Sequence, residues 1–164
     1  MGIDHDTASF AVGTIGRWWQ KMGRPAYPDA TSLMITADSG GSNSAPARLW
    51  KWELQRFANR TGLMIVVCHF PPGTSKWKKI EHCLFSFITQ NRRGRPLTCL
   101  ATIISMIGST RTHTGLWVRA ELDPRKYPKG RKIPEEEIAR LEIQPESFHG
   151  EWNYVIRPRP SRAV

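Results

Sequence analysis

The sequence predicts an α/β layered domain, and three observations predict it. Patterned segments alternate as helix, strand, helix, strand, helix up to Gln90. Strands joined by helices become parallel neighbours through right-handed crossovers, and the helices then cover the sheet. The run Leu63 to His69, L-M-I-V-V-C-H, is nearly all apolar, as expected of a strand covered on both faces. At 164 residues, 40% of them hydrophobic, the chain suits one domain with a sizeable core.

In order, Asp6 or Thr7 can cap a first helix running to about Met22, with Ala11, Ile15, Trp18 and Met22 as its apolar stripe and Gly23 at its end. Ser32 to Ala37 reads as a strand with Asp38 at its carboxyl end, followed by the Gly/Ser/Asn loop Ser39 to Pro46. Pro46 suits the start of a helix from Ala47 to about Arg60, striped by Trp50, Leu54, Phe57 and Ala58 and stopped by Gly62. After the strand ending at His69, a Pro-Pro-Gly break opens a helix to about Gln90. Its stripe is Trp77, Leu84 and Ile88, with Phe85 beside it, and Glu81 falls in that stripe. A glutamate facing a core needs a partner such as a metal, a base or water, because an unpaired buried charge is costly. A slight rotation of the helix would instead bring Glu81 to solvent.

Beyond Gln90 the pattern changes. N-R-R-G-R-P carries Arg92, Arg93 and Arg95 and reads as an exposed basic turn, for phosphate contact or solvation alone. A helix is expected over Thr98 to Ile107, a polar loop over 109–115 and a strand over Gly115 to Leu122, followed by a basic loop over 123–132. Pro134 opens a short helix with Glu135, Glu136 and Glu137 in its first turn, where the dipole favours acids. Trp152 to Ile156 reads as a last strand, and residues 157–162 as a frayed basic tail. Residues 1–110 are expected to form the core, with 111–164 as a basic C-terminal extension packing on or beyond it.

The 24 Lys and Arg outnumber 14 Asp and Glu, for a net charge of +10, which favours a polyanion such as nucleic acid as partner. Cys68, Cys83 and Cys99 form no CxxC pair, so neither a disulfide framework nor a zinc knuckle is expected, and a reducing cytosol fits. The sequence has neither a long apolar run nor a leader-like N-terminus, so no membrane partner is expected. Trp18, Trp50 and Trp77 sit on helical stripes and are expected in the core; Trp117 and Trp152 are less clearly placed. His69 and His82 flank Asp38 and Glu81, and an ordinary partly buried role is expected for His82, phosphate contact being its alternative.

In an α/β sheet, ligands sit beyond the carboxyl ends of the strands. Asp38 and the loop after His69 both fall there, which suggests a site shared by Asp38 and Glu81. Two carboxylates can hold Mg²⁺ or Mn²⁺, and such ions can activate a hydroxyl nucleophile and stabilise the leaving oxygen of a phosphodiester.

The segments A-D-S-G-G-S-N and C-H-F-P-P-G-T-S-K-W-K-K-I-E-H-C-L-F-S-F-I resemble the Asp-Asp-Glu (DDE) transposases of bacterial insertion sequences. Within these they look like the Rhodopirellula-type DDE domain, distantly related to mariner-like elements. R-G-R-P-L, T-H-T-G-L-W-V-R-A-E-L-D and F-H-G-E-W-N-Y extend the resemblance along essentially the whole chain. It implies an RNase H-like fold, as in integrase and transposase cores, with Asp38 as second and Glu81 as third catalytic acid. Mg²⁺ or Mn²⁺ would be the cofactor, and DNA, as terminal repeats and target, the partner. Lys76, Lys78, Lys79, His82, Arg92, Arg93 and Arg95 are the candidate DNA contacts. The resemblance allows a homodimer of the full-length form and a bacterial, cytoplasmic, nucleoid-associated setting.

Three positions depart from the family pattern: Ser39 stands for a glycine, Lys78 for an asparagine and Cys83 for a basic residue. In that fold the first aspartate lies on antiparallel strands preceding the first helix here. The expectation is therefore a C-terminal fragment lacking those strands and inactive alone; Asp4 or Asp6 could substitute for the missing aspartate, but helix capping is the expected role of both. Two other readings stay open: a non-catalytic basic nucleic-acid-binding remnant using Arg92, Arg93, Arg95 and the 125–132 loop, and a metal-dependent nuclease of the same fold.

Overall fold

Local stop signals set most element boundaries. The structure, a computed structural model, describes residues 1–159, apart from the side chain of Ser75. In chain order its principal elements are α1 (Ala8–Trp18), a π-helical turn (Trp19–Gly23), α2 (Arg24–Ala26), β1 (Ser32–Asp38), α3 (Arg48–Thr61), β2 (Met64–Phe70), α4 (Lys79–Arg92), α5 (Leu100–Gly108), α6 (Glu135–Ala139), β3 (Ile143–Pro145) and β4 (Asn153–Ile156). They form two compact units. Of the tail expected over 157–162, positions 160–162 lie outside the described residues.

Among the described residues, the larger unit comprises His5–Gly73 and residues 127–159. Its sheet has the order β1-β2-β4-β3. β1 and β2 are parallel, with Ser32 opposite Met64 and Asp38 opposite Phe70, as the helical crossover α3 requires. β4 runs antiparallel to both β2 and β3, so the sheet is mixed. The segment expected as a C-terminal extension thus supplies β4, which pairs directly with β2. β3 was not foreseen: it has three residues and ends in a proline, too little for a periodicity to appear.

On α3, Trp50, Leu54, Phe57 and Ala58 are all buried, and Gly62 ends the helix at φ +75°, a left-handed conformation that costs glycine least. On α1, Thr7 is the cap, its hydroxyl accepting from the Phe10 amide. The expected stripe is displaced by one position. Ala8, Val12, Gly16 and Trp19 face the core, Ala11 and Ile15 pack at its border, and Trp18 and Met22 are exposed, at 40% and 46%. Gly16 leaves little room against α3: a Cβ there would lie 3.2 Å from Arg60 Nη2, a tight contact, and 3.8 Å from the Phe57 ring. Hydrophobicity alone favours Trp18 and Met22 for the core, but close packing selects the small face.

The smaller unit comprises Met1–Asp4 and Thr74–Lys126. Its α4 and α5 meet at their C-terminal ends, where the Asn91 amide donates to the Met106 oxygen (2.7 Å), Ser109 Oγ (3.0 Å) and Thr110 Oγ1 (3.4 Å). A hairpin follows: the Val118 amide bonds the Thr110 oxygen and the Thr112 amide bonds the Leu116 oxygen. The strand expected over Gly115 to Leu122 is reduced to one isolated bridge, Arg111 to Trp117. The alternation persists, with Leu116, Val118 and Ala120 turned partly inward, but among the described residues no neighbouring strand extends the ladder. Buried Asp123, which opens the expected basic loop, is gripped by Arg125 through Nε (2.9 Å) and Nη2 (3.1 Å).

Candidate functional site

Because β1 and β2 are parallel and end in register at Asp38 and Phe70, both carboxyl ends open on one rim. That is the rim where α/β sheets place ligands. Strand alternation turns buried Ala37 to the core and leaves Asp38 exposed. The loop that follows contains a 3₁₀ turn at Gly41–Asn43, tied back by a 3.2 Å bond from Ser42 Oγ to Asp6 Oδ1.

The rim is braced from beneath by His69. It shares the buried face of β2 with Ile65 and Val67 and is 5% exposed. Its Nδ1 lies 3.0 Å from the main-chain oxygen of Asp38. A carbonyl only accepts, so Nδ1 carries the proton and Nε2 of the neutral ring is an acceptor. The Tyr154 hydroxyl, 3.1 Å from Nε2, therefore donates, and Trp50 Nε1–H donates to the Tyr154 oxygen at 3.0 Å. One directed chain runs from Trp50 through Tyr154 and His69 to Asp38. Burial holds the His69 pKa below its ordinary 6.5; the bond to Asp38 opposes that shift, and the charge of Lys51 adds to it. Burial also pushes the Tyr154 hydroxyl well up, against the bond from Trp50. Lys51 Nζ lies 5.1 Å over the Tyr154 ring, and burial lowers its pKa. No local signal reveals this arrangement, since His69 and Tyr154 lie 85 residues apart.

In the smaller unit, Glu81 occupies the first turn of α4, and its side chain is 55% exposed. This corrects the core-facing position expected for it. The stripe holds further along, where Leu84, Ile88 and Asn91 are partly covered, but no residue of α4 is fully buried. The helix of 14 residues meets α5, of 9, at its other end, which leaves the first turns uncovered. Trp77 and Phe85, at 55% and 58%, are exposed for the same reason, and Trp77 is not a core residue. Glu81 Oε2 pairs with Lys78 Nζ at 3.1 Å, and the Lys78 side chain is only 16% exposed.

The other expected DNA-contacting residues, Lys76, Lys79, His82, Arg92, Arg93 and Arg95, are all exposed. His82 is thus not the partly buried histidine expected. The arginines follow the end of α4 through a turn at Gly94, φ +71°. The expected phosphate-contacting residues therefore stand near the two ends of α4.

Asp38 belongs to the sheet unit and Glu81 to the helical unit. Both are exposed carboxylates, hard oxygen donors of the kind Mg²⁺ and Mn²⁺ prefer, so the donor chemistry fits those ions. Lys78 is the competing cation at Glu81. Among the described residues, no group of three or more His, Cys, Asp or Glu side chains is arranged to hold a metal. No helix of the described residues is long and apolar enough to cross a membrane.

A family model described as the Rhodopirellula transposase DDE domain matches residues 1–158. No curated protein and no solved structure gives a significant match.

Proposed function

Because the chain belongs to the Rhodopirellula transposase DDE domain family, we propose that it contributes Asp38 and Glu81 to a metal-dependent centre for DNA strand cleavage and transfer. The fold that accompanies this reading is RNase H-like. The observation that carries it is the position of Asp38, at the end of β1 on the rim shared with β2, its main chain held by His69. A fixed backbone lets an exposed carboxylate meet a cation with little reorganisation. Glu81, in the first turn of α4, would be the second residue to hold the ion, and its carboxylate is the hard oxygen donor that Mg²⁺ prefers. When bound, the ion would activate the attacking hydroxyl and stabilise the leaving oxygen. Lys76, Lys79, His82, Arg92, Arg93 and Arg95 hold the phosphate backbone, and Lys78 sets the charge around Glu81. DNA as partner implies work at the nucleoid, and a homodimer would pair two element ends.

The test is DNA-end binding measured by fluorescence anisotropy with and without Mn²⁺. A shared metal bridging to phosphate tightens binding in the wild type and not in Asp38→Ala or Glu81→Ala. Affinity indifferent to Mn²⁺ in all three counts against it.

The ion pair from Lys78 to Glu81 favours a second reading. There α4 and the 92–95 turn form a basic surface without metal, and affinity depends on salt alone. The same titration separates the two.

A further inference from the structure

Trp117 is 58% exposed, and two guanidinium groups face its ring, Arg119 at 4.7 Å and Arg111 at 5.2 Å from the centroid. Large aromatics left in solvent beside cations are characteristic of surfaces that take up bases. The hairpin beneath this one is held by several hydrogen bonds. Arg111 and Trp117 bridge across the hairpin, and the Leu116 amide bonds Thr112 Oγ1 at 3.1 Å. Thr110, at the hairpin base, is 1% exposed and bonds the Met106 oxygen at 3.3 Å. Asn91 binds that same oxygen and Thr110 Oγ1, and Arg92, Arg93 and Arg95 follow it directly in the chain. One amide therefore ties the basic turn to the hairpin that displays Trp117. Between Glu81 and Glu121 the sequence contains no acidic residue, but it contains Arg92, Arg93, Arg95, Arg111 and Arg119. The whole stretch is complementary to a polyanion.

We propose that Trp117 is a stacking platform for an unpaired DNA base, with Arg111 and Arg119 flanking it and the arginines of the 92–95 turn receiving the adjoining phosphates. The ring already attracts planar cations. An incoming base displaces one guanidinium from the ring, and the released group pairs with the backbone of the same strand. Stacking needs an exposed base face, so the platform distinguishes unpaired from paired DNA and reads no sequence. The proposal rests on DNA as partner and is independent of the Asp38 and Glu81 pair.

The test compares a labelled single strand with its blunt duplex by fluorescence anisotropy, in EDTA so that no metal centre contributes. Trp117→Ala is expected to weaken the single strand about tenfold or more and to leave the duplex within about twofold. Trp117→Phe keeps an aromatic face and is expected to retain most of the affinity, which separates stacking from a folding defect. The Arg111→Ala, Arg119→Ala double variant weakens both DNAs and lowers the salt slope by about 1 to 2. Unchanged single-strand affinity in Trp117→Ala, or equal losses on both DNAs, overturns the platform. If the wild type binds neither DNA, the proposed DNA partner falls as well. If it binds both without regard to Trp117, the platform alone fails.

Discussion

His69 Nδ1–H donates to the main-chain oxygen of Asp38 across 3.0 Å, so a buried side chain of β2 holds the last residue of β1 in place. The parallel ladder ends at this point, and the loop beyond it is tied back separately by the bond from Ser42 to Asp6. Through Tyr154 and Trp50 the same bond reaches α3 and β4, so the rim rests on three elements of the core.

Tyr154→Phe should lower stability by about 1 to 3 kcal/mol, because it strands the buried Trp50 N–H and His69 Nε2 without partners. Urea unfolding measures the loss. A change below about 0.5 kcal/mol would show that the directed chain contributes little.

Acidification tests the neutral His69. Its folded pKa lies below the ordinary 6.5, so the unfolded chain takes up the proton first. The stability that depends on neutral His69 is present above about pH 6.5 and is lost as pH falls through the lower folded value. His69→Gln keeps hydrogen-bonding groups and removes the titration, so its melting temperature should change less than that of the wild type between neutral and mildly acid pH. Parallel curves for the two proteins would contradict the assignment.

At Gly23, which closes the π-helical turn, a Cβ would stand 2.4 Å from Trp19 Cε3, an atom of a buried ring. Gly23→Ala should therefore cost about 1 to 3 kcal/mol by overpacking, whereas an ordinary exposed helical glycine gains from the same change. Thermal unfolding distinguishes the two signs.

Lys78→Ala should leave stability within about 0.5 kcal/mol, since Glu81 is more than half exposed and solvent screens the pair. If Glu81 is a metal ligand, the same change should tighten Mn²⁺ binding by removing a competing cation. Weaker metal binding in Lys78→Ala would assign the lysine a supporting role instead.

Much of the sheet unit was legible because its signals are local. Gly62 stops α3, a near-continuous apolar run makes β2, and both aligned with the structure to within a residue or two. Misreadings came where packing outranked pattern. Gly16 and Ala8 face the core of α1 because small residues permit close approach, and hydrophobicity gives them no advantage over Trp18. Glu81 falls on the stripe its spacing implies, but spacing does not say where the covering helix ends. Residues 115–122 alternate like a strand, yet a strand also needs a neighbour, which their own sequence does not supply. The place of Asp38 at the end of β1 was legible because an apolar run gives way there to a Gly/Ser/Asn loop. The brace beneath it was not, because Tyr154 comes from the far end of the chain.

The most direct measurement is calorimetric titration of Mn²⁺ into the wild type, Asp38→Ala and Glu81→Ala. A cation held jointly by the two carboxylates predicts a binding isotherm in the wild type that is lost in each single variant. An isotherm that survives both substitutions, or responds to only one of them, would contradict the shared metal centre.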